Sequence, residues 1–210
     1  MAAKKLIYIA PVNVGNQRPV PRRAGLTIIG VYKLMERLNI DESRIRVSGH
    51  SGGARVACGL AYFHSDLFSG ALPFCGANFH ERVARVHATK NDEYGYFRVE
   101  PEVADAAKRR VRFALITGEN DCRKGNVMDL FHVGFDKHGF EIKLFVAPRQ
   151  GHEYRGARFF IKGLEFIEQR KMCARGDSRP TGKIANEAGA FQGGSIPGHP
   201  NLMRYLISTR

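Results

Sequence analysis

Residues 49–53 read Gly49-His50-Ser51-Gly52-Gly53, a G-x-S-x-G run that suits a serine nucleophile. That chemistry needs the serine on a tight turn between a strand and a helix, with its hydroxyl projecting from the C-terminal end of a sheet. The flanking glycines answer to crowding, because a Cβ there would collide with the neighbouring strand or helix. The turn also aims a helix N-terminus at a developing oxyanion, and the Gly52 N–H becomes one donor. A serine hydroxyl is a weak nucleophile until a base takes its proton. The candidate base is His152 in Gly151-His152-Glu153, and Asp121 in Gly118-Glu119-Asn120-Asp121 supplies a carboxylate to orient the imidazole. Ser51 then serves as nucleophile, His152 as general base and later acid, and Asp121 as the group that holds the tautomer. Glu119 is an alternative acid, and Cys122 beside Asp121 reads as a packed thiol.

Those three residues can meet only if the elements around them place strand ends together. Ile45-Arg46-Val47 forms a short strand before the motif, and a helix follows from Gly52 to about His64 with Val56, Leu60 and Phe63 on one face. Val111 to Thr117 is the clearest strand in the chain, and Ile142 to Ala147 is a strand ended by Pro148. Asp121 and His152 thus each lie just past a C-terminal strand end, where ligands meet open α/β sheets. Leu6 to Ala10 and Leu72 to Cys75 are further strands; helical spacing covers 25–38, 102–110, 127–137 and 159–171. The alternation predicts an α/β fold with a mainly parallel sheet. Residues 13–24 read as a loop. Residues 78–100 fit neither period and form an excursion, whose Tyr94, Tyr96 and Phe97 suggest an apolar wall.

Composition narrows the classes. A chain of 210 residues with 43% hydrophobic and 25% charged residues suits one domain with a sizeable core. Lys plus Arg is 33 against 20 Asp plus Glu, a net charge of +13, but the basic residues are scattered. A mixed solvated surface is therefore expected, not a nucleic-acid face. Cys58, Cys75, Cys122 and Cys173 make no C-x-x-C pair, and no histidine stands at zinc-finger spacing. Neither structural zinc nor a disulfide framework is expected. Gly176 to Lys183 has the wrong spacing for a P-loop, with Ile184 where a magnesium-binding hydroxyl belongs. After Arg175 the composition turns to Gly, Ser, Pro and Arg, so a domain over 1–175 and a tail over 176–210 are expected, with apolar character returning at Leu202 to Ile207. No apolar run nears the roughly 20 residues of a membrane span. Leu6 to Val12 reads as a strand instead of a signal segment, which places the chain by default in the cytoplasm.

The stretch IDESRIRVSGHSGGARVACGLAYFHSDLFSGALPFCGANF, Ile40 to Phe79, resembles the nucleophile region of α/β-hydrolase esterases. It is most similar to the group of polyhydroxybutyrate depolymerases and feruloyl esterases, and LITGENDCRKG and KLFVAPRQGHEYRG resemble that group's acid and histidine loops. The likeness covers roughly residues 6–171. It implies a three-layer α/β-hydrolase-like fold and a carboxylic-ester hydrolase that works through an acyl-enzyme on a small-molecule ester, with no metal or organic cofactor. His50, Asn78 and Phe79 would stand near the substrate. Members of the superfamily carry earlier strands, and the loop after their third strand gives a second oxyanion donor. Here Leu6 to Ala10 matches the fourth strand, so the sheet is expected to be N-terminally reduced with no counterpart of that loop, and a backbone N–H of Asn13, Gly15 or Asn16 would replace the donor. The reduced sheet is expected to pair 6–10 directly with 45–47 in a five-stranded parallel core, the rival being Leu202 to Ile207 between them. Direct pairing leaves the first strand at an edge, which a homodimer could cover. Two other functions fit the same residues: a non-catalytic hydrolase-like domain holding anionic partners by its charge, and a serine peptidase using the same three side chains.

Overall fold

The computed structural model describes residues 6–88, 96–153 and 157–169, and residues 203–208 as backbone. Tyr94, Cys173 and the Gly176 to Lys183 stretch lie outside the described residues. The strands are β1 (Leu6–Ile9), β2 (Arg46–His50), β3 (Gly70–Phe74), β4 (Arg112–Gly118), β5 (Ile142–Ala147) and β6 (Met203–Ser208). The helices are α1 (Val20–Met35), α2 (Gly52–Phe63), α3 (Pro101–Arg110), α4 (Lys124–Asp129) and α5 (Arg158–Glu168). Helix α4 runs on as a π-helical segment, Leu130–Asp136, and the chain then turns at Gly139 with φ 72°.

Helix α1 starts well before the expected Gly25. Pro21 sits in its first turn, where a missing N–H has no intrahelical partner to lose. The same proline had marked a loop in the sequence pattern. Helix α3 ends on Lys108-Arg109-Arg110, so the densest basic run lies at the negative end of a helix dipole.

The sheet order is β1-β6-β2-β3-β4-β5. Strands β2 to β5 are parallel, in the register Val47↔Ala71 for β2–β3 and Leu115↔Leu144 for β4–β5. The α/β class with a mainly parallel sheet is as expected; the pairing of the first strand is not. Met203–Ser208 lies between β1 and β2, antiparallel to both, with Tyr205 opposite Ile9 on one side and Val47 on the other. The sheet therefore has six strands, and residues assigned to the tail belong to it. The physical reason is the vacancy itself: a strand inserted there gives hydrogen-bond partners to both β1 and β2. Nearness in sequence favoured direct pairing, but it did not decide the register.

Two apolar clusters mark the two faces of the sheet, which makes three layers. The larger joins α1, α2 and α3 to one face through Val31, Leu60, Ala107 and Phe113. The smaller packs Leu164 and Ile167 of α5 on Leu72, Ala114 and Ile116. In the larger cluster Tyr62 is 1% exposed and meets Phe97, Phe113 and Phe140 at ring-centroid distances of 5.1, 5.7 and 5.5 Å. Phe97 is therefore core, not a substrate wall.

The excursion after β3 is fastened to the helix layer. Asp129 is 2% exposed and accepts three backbone hydrogen bonds, from Val86 at 3.1 Å, His87 at 2.8 Å and Ala88 at 2.9 Å. Asp129→Ala leaves those donors without their acceptor, at about 1–3 kcal/mol for each one that water cannot reach. The expected outcome is a loss of about 2–4 kcal/mol in chemical denaturation and a Tm lowered by roughly 5–10 °C. An unchanged midpoint would show that the loop does not depend on this carboxylate.

Candidate active site

Strand β2 ends at His50, and the chain turns through Ser51 into α2. Ser51 has φ 55° and ψ −115°, a region that costs a non-glycine residue about 1–3 kcal/mol. The turn is held by the Ser51 N–H, which donates to the Phe74 carbonyl at 2.7 Å, and by helical bonds from Ala54 and Arg55 back to the Ser51 carbonyl. Gly49 is required here, because a Cβ on it would overlap the Gly53 carbonyl of the first helical turn. The strain is thus kept by close strand–helix packing, and it presents the Ser51 hydroxyl at the C-terminal end of a parallel strand.

The imidazole of His152 spans the next two distances. Its Nε2 is 2.9 Å from Ser51 Oγ, and its Nδ1 is 2.8 Å from Asp121 Oδ1. Asp121 has a fully buried side chain, and further donors reach it: the Arg123 N–H at 2.9 Å to Oδ1 and the Thr117 hydroxyl at 2.8 Å to Oδ2. Burial pushes the Asp121 carboxyl up, but the hydrogen bonds from His152, Arg123 and Thr117 outweigh it and hold the group below the usual carboxylate range. An ionised Asp121 makes Nδ1 the protonated nitrogen and leaves the Nε2 lone pair toward Ser51.

The acid and histidine loops are bound to each other as well as to the sheet. Asn120 donates its N–H to the Gln150 carbonyl at 2.8 Å, and Glu119 donates to Ala147 at 2.9 Å. A Cβ at Gly118 would strike the carbonyls of Gln150 and Gly151, so only glycine lets the two loops lie this close. Glu119, the alternative acid, instead accepts the Arg149 N–H at 2.8 Å; it is Asp121 that meets the imidazole.

The other sequence candidates divide. His50 lies against His152: its Nε2 donates to the His152 carbonyl at 2.5 Å, and the two rings are 5.2 Å apart. The carboxamide of Asn16 packs against Gly52 so closely that a Cβ on Gly52 would overlap Oδ1. That oxygen is buried and has no hydrogen-bond partner. Asn13 is exposed with φ 56°. Asn78 is half-buried, and its backbone N–H meets Cys58, whose thiol burial pushes up to about 12. Phe79 is 1% exposed and stacks edge-on to Phe135 at 4.8 Å, so it belongs to the core and not to a substrate surface. Cys122 is exposed, contrary to its reading as a packed thiol.

One neighbour went unnoticed in the sequence. Cys75 lies beside Asp121 and His152 and follows β3 with φ 53°. Burial and then the Asp121 carboxylate push its thiol well up, which keeps it protonated and inert. Its place directly after a C-terminal strand end is the signal that could have found it.

A parallel sheet, a serine on a strand–turn–helix and the chain order Ser, Asp, His at strand ends define an α/β-hydrolase-like architecture. No family model and no curated protein matches the sequence. Among solved structures, the chain is similar to a feruloyl esterase module from Clostridium thermocellum, at 14% identity over 64% of this chain and 48% of that one, TM-score 0.41. It is also similar to a Bacillus cereus carboxylesterase, at 13% identity over 70% and 60%, TM-score 0.45. A third is the S-formylglutathione hydrolase FrmB of Staphylococcus aureus, at 17% identity over 74% and 65%, TM-score 0.47. The chain spans about half the length of that feruloyl esterase module. Among the described residues, no helix is long and apolar enough to cross a membrane.

Proposed function

We propose that the protein is a serine carboxylic-ester hydrolase acting through an acyl-enzyme on small to medium acyl esters. The observation that carries this is the unbroken chain from Ser51 Oγ through His152 to the buried Asp121, at 2.9 and 2.8 Å. As Ser51 Oγ bonds to the ester carbonyl carbon, its proton passes to His152 Nε2. The imidazolium returns that proton to the leaving alkoxide, which departs as the alcohol. Water then attacks the acyl-serine with His152 again as base, and the acid and free serine result. Asp121 stays ionised throughout and stabilises the imidazolium.

The oxyanion formed in each step meets the N-terminus of α2, where the first N–H groups have no intrahelical acceptor, and Gly52 provides one of them. Asn16 is the residue we place as the second donor, because its carboxamide already lies on Gly52. With the amide turned so that Nδ2 faces the oxyanion, no acceptor oxygen is left against the developing charge. Asn16→Ala is expected to lower kcat by on the order of 10²–10³-fold with little change in KM. An equal fall in activity for Asn13→Ala and none for Asn16→Ala would move the donor elsewhere. The reading as a whole is tested by hydrolysis of a p-nitrophenyl ester series, with Ser51→Ala as the control.

A further inference from the structure

A cavity of about 590 Å³, with none of Ser51, Asp121 or His152 in its lining, lies against the start of the excursion and just beyond the π-helical segment. His80, Glu81 and His138 line it together with Lys108 and Phe140. His80 Nε2 stands 3.2 Å from one Glu81 carboxylate oxygen, and His138 Nε2 stands 3.9 Å from the other. The three candidate donor atoms all lie within 4.8 Å of one another. From this geometry we infer that His80, Glu81 and His138 form a binding site for a divalent transition metal ion, zinc above all.

Two imidazoles and one carboxylate are a donor set suited to zinc, with the fourth tetrahedral position left to water. The ring of His80 is set for the task from behind: its Nδ1 lies 3.1 Å from the hydroxyl of Tyr62, a side chain 1% exposed. With Nδ1–H donated to that oxygen, Nε2 turns its lone pair to the cavity, which is how an outer partner selects the metal-binding tautomer. The His80 and His138 rings are nearly perpendicular, at 87°, with centroids 5.8 Å apart. Zinc–ligand bonds of about 2.0–2.2 Å need these atoms drawn in by roughly an ångström. Glu81 and His138 are the two that can move, with side chains 56% and 36% exposed, whereas His80 is held at 9%. An ion there would tie the excursion to the segment after α4, at a second point beyond the Asp129 clamp. Sequence spacing could not disclose the site, because the fold brings His138 to the other two.

The test is zinc titration of metal-free full-length protein against a chromophoric chelator, with cobalt absorption as a second readout of tetrahedral geometry. Wild type should bind one equivalent at this site, and His138→Ala and Glu81→Gln, both at exposed positions, should each weaken it at least tenfold. A hundredfold excess of zinc over Kd should raise the wild-type Tm by about 5–10 °C and leave that of His138→Ala in place. His152→Ala removes the only other described cluster that offers three donors, Cys75, Asp121 and His152, and should bind zinc as wild type does. Zinc binding that survives His138→Ala and Glu81→Gln, or that disappears with His152→Ala, overturns the assignment, as does the absence of saturable binding.

Discussion

Ser51→Ala should be unlabelled by a fluorophosphonate probe and should hydrolyse nitrophenyl esters at least about 10⁴-fold more slowly than wild type. The size of the effect follows from the covalent step: without Oγ there is no acyl-enzyme, and what is left is catalysis by the helix N-terminus and substrate binding. The fold should survive, because the Ser51 backbone, not its hydroxyl, makes the turn's bonds to Phe74, Ala54 and Arg55. Alanine has the same Cβ at φ 55°, so the strain is unchanged. Equal labelling of both proteins would remove Ser51 from the mechanism. If only an intact triad were present without function, wild type itself would be silent to the probe.

Asp121→Asn is expected to cost about 10⁴-fold in kcat while the protein stays folded. Three donors converge on the carboxylate, from His152, Arg123 and Thr117. A carboxamide has one acceptor oxygen and an NH₂ that must face either Thr117 or the His152 and Arg123 donors together. Where the NH₂ faces His152, Nδ1 becomes the acceptor and Nε2 carries the proton toward Ser51, so it can no longer take one. The same variant separates catalysis from stability. The folded-state pKa of Asp121 is depressed, so its contribution to stability is complete above its unfolded value and is lost as pH falls through the lower folded value. Wild type should thus lose stability on acidification with a component that Asp121→Asn lacks, read from melting temperatures between about pH 7 and pH 3. Identical acid profiles for the two proteins, or near-wild-type kcat in Asp121→Asn, would assign the orienting role to another group.

The residues proposed to carry this chemistry could be picked out because each is set by a local pattern. A G-x-S-x-G run after a short apolar strand fixes Ser51, and Asp121 and His152 each follow the end of a strongly apolar strand. Asp121 was set ahead of Glu119 within one short loop, and it is Asp121 that lies against the imidazole. What stayed hidden depends on long-range packing. Phe79 and Phe97 look alike in sequence to substrate-facing aromatics, but the Tyr62 cluster takes both into the core. Asn16 was considered for its backbone, whereas it is the side chain that reaches Gly52. The place of Met203–Ser208 in the sheet could only be weighed against direct pairing, because periodicity names a strand and not its neighbours.

Strand β6 also sets the order in which the molecule can assemble. Strands β2 to β5 find their parallel partners among near neighbours in the chain, so that part of the sheet can zip up as it emerges from the ribosome. Strand β1 is paired only with β6 among the described strands, Leu6 opposite Ser208. Its backbone partner therefore lies roughly 200 residues further along the chain. Closing so long a loop costs more entropy than any other pairing in the sheet and belongs to the slow, non-local contacts of folding. Until that pairing forms, the β2 edge beside Ser51 lies open, so the hydroxyl proposed as nucleophile rests on a strand whose second partner comes from far along the chain.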